Sequence, residues 1–315
     1  MAAALAGVIW LNRDALGAVL VRVELRPILA LPVLFFVMQV AITGLRAVVL
    51  LGGNAWRDTR GCIGCHVVAQ FSNQLVPAGA GDFVLKGGCL AKRLKRPFRA
   101  IAGVVLLDRL FDAALAAALA PVLLLVLSGR LGPLSGLGIA AVIIVCLPWL
   151  MHAVLRPVLT GAHGLAAWRA GGGRLANAAQ SLKSLYQDRR RVLTWAHAVT
   201  VLRLAAMSGG LGLLHWLMFG DDLWLVVVLA APITQFALLL PLAPGGLGVV
   251  EGAWFGVLTL AGADNGAALA FALAVRVLIV VGTLAASTIA LGGHGWAAWR
   301  MRGSAESFDA ASGEP

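Results

Sequence analysis

Residues 100–127 read AIAGVVLLDRLFDAALAAALAPVLLLVL, 28 positions of which only Asp108, Arg109 and Asp112 are charged. As a helix this stretch extends about 42 Å, more than the roughly 30 Å hydrocarbon core of a bilayer. The stretch therefore reads as a membrane-crossing helix, and its three charges need partners or water at membrane depth, since each costs about 2.5–3.5 kcal/mol at a helix centre. Asp108 and Asp112 lie four residues apart and so share one face.

Working outward, the whole chain has the same character. Of its 315 residues 60% are apolar and 12% charged, with mean hydropathy +0.91. A soluble globular domain carries about 25% charged residues, so that class is excluded. The formal charge of +11 does not indicate nucleic acid, because there is little sequence outside apolar runs to form a solvated basic face. Further runs long enough to span occur at 27–51, 134–155, 194–219, 223–243 and 267–292. With 100–127 they make six plain spans. Segments 61–91 and 244–263 are apolar but interrupted by Gly, Pro and a carboxylate, which reads as paired half-helices or re-entrant elements.

The expectation is an all-α polytopic membrane helix bundle of about eight membrane segments, two of them broken or re-entrant in a weak internal repeat. Residues 1–302 form a single integral membrane domain and 303–315 a short disordered cytoplasmic tail. Residues 1–11 are apolar but lack a basic n-region and a cleavage site before Arg13, so they read as half of a truncated first helix and not as a signal peptide. Segments 15–24 and 174–186 are amphipathic and suit the headgroup layer. Gly171-Gly172-Gly173 reads as a hinge, lacking the strand and helix of a nucleotide loop.

Lys and Arg crowd into 86–99, 156–193 and the C-terminal tail, whereas the turns at 128–133, 220–222 and 261–266 hold only Arg130. Basic short loops face the cytoplasm. This implies a multi-pass protein of the inner (plasma) membrane with a cytoplasmic C-terminus.

Three arginines lie inside apolar helices, Arg109, Arg203 and Arg276, against four carboxylates, Asp82, Asp108, Asp112 and Glu251. Such a set is either structural ion pairing between helices or a polar substrate path. The two broken segments share a Pro-small-Gly-x-Gly pattern: Pro77, Gly79 and Gly81 before Asp82, and Pro244, Gly245, Gly246 and Gly248 before Glu251. Pro and Gly at this density free backbone groups that neighbours or water must satisfy, as in discontinuous helices that line a cavity and gate it. The plainer reading is close helix packing through small residues.

Several of these motifs resemble one family. The run Leu238-Leu239-Leu240-Pro241-Leu242-Ala243-Pro244-Gly245-Gly246-Leu247-Gly248-Val249-Val250-Glu251-Gly252 is similar to the hallmark of the lysylphosphatidylglycerol synthase transmembrane (flippase-like) family. Phe71-Ser72-Asn73-Gln74-Leu75-Val76-Pro77 through Asp82 and Lys86 resembles its first motif, Leu107-Asp108-Arg109-Leu110-Phe111-Asp112 its acidic helix, and Arg276 the last helix. Asp82 and Lys86 stand where the family pattern has Glu and Arg. The resemblance implies movement of lipids or lipid-linked precursors between leaflets, with Asn73, Asp82, Lys86, Asp108, Arg109, Asp112, Arg203, Glu251 and Arg276 along the substrate path. Some members carry a fused aminoacyl-transferase domain; here the sequence ends 13 residues after Arg302, so that domain is not expected.

The expected function is translocation of an amphipathic lipid without enzymatic activity. The alternatives are a membrane-embedded lipid-modifying enzyme or an accessory subunit of one. The expected partners are membrane lipids, anionic in headgroup, and a lipid-synthesis enzyme. Neither a Ser-His-Asp set nor a Walker loop nor zinc-like spacing is present in a supporting context, and no cofactor or metal is expected. The competing motif is Cys62-Ile63-Gly64-Cys65-His66, a literal C-x-x-C-H of c-type haem attachment. Its residues also share one helix face, where the cysteines pack as small hydrophobes. The four cysteines are too scattered for a disulfide framework, and His215 and His294 near helix ends read as interfacial.

Overall fold

The computed structural model describes residues 25–52, 54–73, 81–160, 190–237 and 246–311. The half-helix at 1–11, the amphipathic stretches 15–24 and 174–186, the 171–173 glycines, and Pro77, Gly79, Pro244 and Gly245 lie outside them. The described residues are helical with short turns. Helices α1 (Leu25–Leu51), α5 (Phe98–Leu127), α7 (Arg190–Phe219) and α10 (Asn265–Ala311) supply the four stretches long and apolar enough to cross a membrane, Ala30–Leu51, Ala100–Leu127, Thr194–Phe219 and Asn265–Ala290. Shorter apolar stretches belong to α6 (Pro133–Thr160), over Pro133–Leu147, to α8 (Trp224–Ala237) and to α9 (Val249–Leu260).

Four of the six plain spans expected from the sequence are thus present at crossing length among the described residues. The 223–243 run is helical over Trp224–Ala237, and 238–245 lies outside the described residues. The 12 residues of α9 reach about 18 Å, short of a bilayer core. At the other end of the chain, α10 runs from Asn265 to Ala311.

Two apolar layers fix which helix ends lie together. One cluster joins Leu51, Leu90, Leu94, Ile101 and Ala196, so the end of α1, the end of α4 (Gly87–Leu94) and the starts of α5 and α7 share one end of the bundle. Arg93, Lys95 and Arg96 make it the basic end, and Arg96 Nη1 donates to the Leu51 carbonyl at 3.0 Å, satisfying an orphan acceptor of α1. A second cluster joins Leu123 and Val126 with Leu211, Leu214 and Leu258, which places the ends of α5, α7 and α9 at the opposite end. Lipid offers helices no hydrophobic drive to associate, so close packing must supply it. Gly210 of α7 serves this: a Cβ there would come within 2.7 Å of Phe35 of α1.

Between Leu51 and Phe98 the chain enters and leaves the bundle from the basic end. α2 (Asn54–Arg57) is followed by α3 (Thr59–Asn73), and the chain returns through a π-helical turn, Gly81–Lys86, into α4. Arg93 Nη2 donates to Asp58 Oδ1 at 2.9 Å, and Cys65 is joined to Cys89, with Cα atoms 5.7 Å apart. The expectation of unpaired cysteines therefore fails for these two: antiparallel re-entry brings residues 24 apart side by side, a proximity that spacing in sequence does not reveal. α8 starts at the opposite end, following the α7 terminus after a short turn, and α9 runs back to it.

Candidate functional site

At 1.5 Å per residue, Asp108 and Asp112 lie about 12 and 18 Å along the α5 span from Ala100, near mid-membrane. The residue that organises them is Arg46 of α1, fully buried. Its Nε pairs with Asp108, its Nη1 and Nη2 donate to Asp112 at 2.9 and 3.2 Å, Nη1 reaches Thr200 Oγ1 at 3.1 Å, and Nη2 reaches the Asp108 carbonyl at 3.3 Å. Lys86, delivered by the π-helical turn, donates to Asp108 Oδ2 at 3.1 Å. Wide turns of this kind occur at functional positions. Arg203 of α7 donates to Asp112 Oδ1 at 2.6 Å, and Arg109 Nη1 stands 3.8 Å from Asp112 Oδ2.

The charge balance differs from the sequence tally of three arginines against four carboxylates. Among the described residues the cluster holds four cations, Arg46, Lys86, Arg109 and Arg203, and two carboxylates, Asp108 and Asp112. Its floor, Arg46, Lys86 and Asp108, is no more than 1% exposed, whereas Asp112 at 14% and Arg109 at 21% form an accessible rim. His66 lies buried beside it, with neither ring nitrogen hydrogen-bonded.

The remaining pair forms a second site. Gly248 adopts φ 82 as the cap of α9, its N–H donates to Glu251 Oε2 at 2.7 Å, and Glu251 pairs with Arg276 Nε. Arg276 Nη2 also donates to the Gly246 carbonyl at 3.2 Å. Thus Gly246 and, through Glu251, Gly248 are held by an arginine about 17 Å into α10 from its start at Asn265.

Of the residues singled out in the sequence, Lys86, Asp108, Arg109, Asp112 and Arg203 meet in one cluster, and Glu251 and Arg276 meet in the other. Gly246 and Gly248 belong to the second site, while Gly81 opens the π-helical turn. Asn73 ends α3, and the Asp82 side chain is outside the described residues. Sequence reasoning missed Arg46 and Thr200, and took His66 only as part of the C-x-x-C-H string. Arg46 carried the same signal as its partners, a lone charge in the apolar run 27–51, but its nearness to the end of that run disguised it. The C-x-x-C-H string is buried in α3: Cys62 and His66 are fully enclosed and Cys65 is bonded to Cys89. Thioether bonds at both cysteines with an axial bond from His66 do not fit this arrangement. His215 also departs from expectation. It is 2% exposed, 3.4 Å from Asp221 and packed against Phe219 and Phe271, so it is interior.

The described geometry and the motifs it unites agree with a family model, lysylphosphatidylglycerol synthase TM region, which matches residues 1–287. The chain belongs to that lysylphosphatidylglycerol synthase transmembrane family. No match was found among curated proteins or among solved structures. Family membership makes this a lipid-related multi-pass membrane protein, and both ion clusters lie within the matched region.

Proposed function

We propose that the protein moves a lipid or lipid-linked precursor with an anionic headgroup between leaflets, as a transporter and not as an enzyme. The observation that carries this reading is the gathering of Arg46, Lys86, Arg109 and Arg203 around Asp108 and Asp112 inside crossing helices. Charged groups inside apolar spans normally face a partner or a wet path. A headgroup phosphate serves these cations as an exchangeable partner in transit, entering at the Arg109 and Asp112 rim while its tails stay in lipid.

The two interrupted elements open at opposite ends of the bundle, the geometry that inverted repeats give transporters. In this mechanism they form a repeated pair of gates, at Pro77, Gly79 and Gly81 on one side and Pro244, Gly245, Gly246 and Gly248 on the other. Glu251 holds Arg276 while the gate is closed and yields it to the headgroup. Asn73 and Asp82 line the path beside the first gate. In this reading the basic end and the C-terminus face the cytoplasm, as the positive-inside bias favours, and the protein works in the inner membrane beside an enzyme that synthesises the lipid.

A dithionite-reduction assay on proteoliposomes containing fluorescent phosphatidylglycerol tests this. Wild-type protein exposes inner-leaflet probe, and Glu251→Gln slows that exposure at least about tenfold, the effect of some 1.4 kcal/mol on a barrier. Equal rates for empty liposomes, wild type and variant exclude translocation. Turnover of the lipid by pure protein would instead establish the enzyme reading.

A further inference from the structure

Away from both ion clusters, a groove of about 770 Å³ runs between α1, α3 and α10 at the basic end. That volume is in the range of small-molecule ligand sites, about 300–1,000 Å³. Its wall is apolar: Val37 and Val40 from α1, Ile63 and Val67 from α3, and Ile289 from α10. Val40, Val67 and Ala286 close the floor against one another. Ile289, at 65% exposure, leaves the groove open sideways, toward lipid.

The mouth has a different chemistry. Trp56, Arg57, Asp58, Thr59, Arg60 and Arg93 surround it. Asp58 is engaged by Arg93, so the exposed Arg57 and Arg60 contribute an excess of two positive charges. Trp56 is 52% exposed beside them, an indole placed as in interfacial aromatic belts. Val40 lies about 17 Å along α1 from Leu51, close to the half-thickness of a hydrocarbon core, about 15 Å. The groove thus spans one leaflet, cationic at the surface and apolar below. On α3, Ile63 and Val67 face this groove, while Cys62 and Cys65 belong to the packed interior.

We infer that this groove binds one anionic phospholipid of the basic-end leaflet, with an acyl chain along Val40 and Val67 and the phosphate at Arg57 and Arg60. The occupant is a lipid because a soluble anion has no use for the apolar floor, and a polar peptide none for a wall open to the bilayer. The site is a resident binding position, so its equilibrium occupancy does not depend on translocation.

Native mass spectrometry of delipidated full-length protein, titrated in detergent with dioleoyl phosphatidylglycerol or dioleoyl phosphatidylcholine, provides the test. Wild type retains one phosphatidylglycerol about 30-fold more tightly than phosphatidylcholine, the preference expected of two cations near an anionic headgroup. Ala41→Trp, which fills the groove from an exposed position, abolishes retention of both lipids. The surface pair Arg57→Gln/Arg60→Gln removes the preference while the chain still binds. Equal retention of the two lipids by wild type overturns the site, as does wild-type retention by Ala41→Trp. Should Ala41→Trp misfold, the Arg57→Gln/Arg60→Gln protein decides alone, and an unchanged preference there refutes the assignment.

Discussion

Arg46 on α1 and Asp112 on α5 are joined by two hydrogen bonds, at 2.9 and 3.2 Å, across 66 residues of sequence. With Asp108 and Arg203 they couple three crossing helices through one guanidinium. Such a network has a high cost of interruption, because removing one partner strands a buried charge.

Arg46→Gln is accordingly expected to destabilise the fold by about 3–5 kcal/mol, the cost of breaking a buried ion pair. Equilibrium denaturation in detergent measures it. A loss below about 1 kcal/mol would mean that Asp108 and Asp112 find solvent or other partners, contrary to a closed network.

Lys86 and Asp108 should show coupled behaviour. Lys86→Met and Asp108→Asn each leave the other group deprived of a partner, while the double variant removes both charges of this contact. The cycle is expected to give an interaction of about 0.5–3 kcal/mol. Additive single effects would show that the 3.1 Å contact carries no energy.

Gly248→Ala tests the cap of α9. The position has φ 82, and a side chain in left-handed conformation costs about 1–2 kcal/mol. A shift of that size in the unfolding midpoint is expected, together with faster exchange of the Gly248 amide, whose bond to Glu251 depends on that turn. Unchanged stability would show that the turn relaxes freely.

The Cys65–Cys89 link predicts a thiol count. Of four cysteines, Cys62 and Cys146 are free, so maleimide labelling of denatured, unreduced protein should add two groups and labelling after reduction four. Closing a 24-residue separation contributes about 3 kcal/mol on the chain-entropy model. Cys89→Ser should lower the unfolding midpoint correspondingly. Four labels without reductant would dissolve the link.

Arg109→Gln tests the rim. It removes a cation from the accessible side of the cluster while leaving the Arg46 bonds in place. Transfer of phosphatidylglycerol between leaflets should fall more than that of a zwitterionic lipid, by about tenfold if the lost contact is worth 1.4 kcal/mol in the crossing barrier. Equal slowing of both lipids would assign Arg109 to structure and not to headgroup recognition.

The sequence by itself determined the membrane class, the helical architecture and the chemical types needed at depth. Apolar runs of span length permit little else, and charges such as Asp108, Arg109, Asp112 and Arg203 inside them demand partners. The Pro-Gly pattern before Glu251 likewise announced an interrupted helix, because its backbone groups need outside satisfaction. Tertiary structure alone decided which partners meet. Arg46 lies 62 residues from Asp108 in sequence, and only the crossing of α1, α5 and α7 brings Thr200 and Arg203 to the same acids. Re-entry of α3 and α4 made neighbours of Cys65 and Cys89 and carried Lys86 inward. The physical reason is range: hydropathy and helix period are local properties readable along the chain, whereas the charge balance of a buried cluster depends on which helix faces pack together.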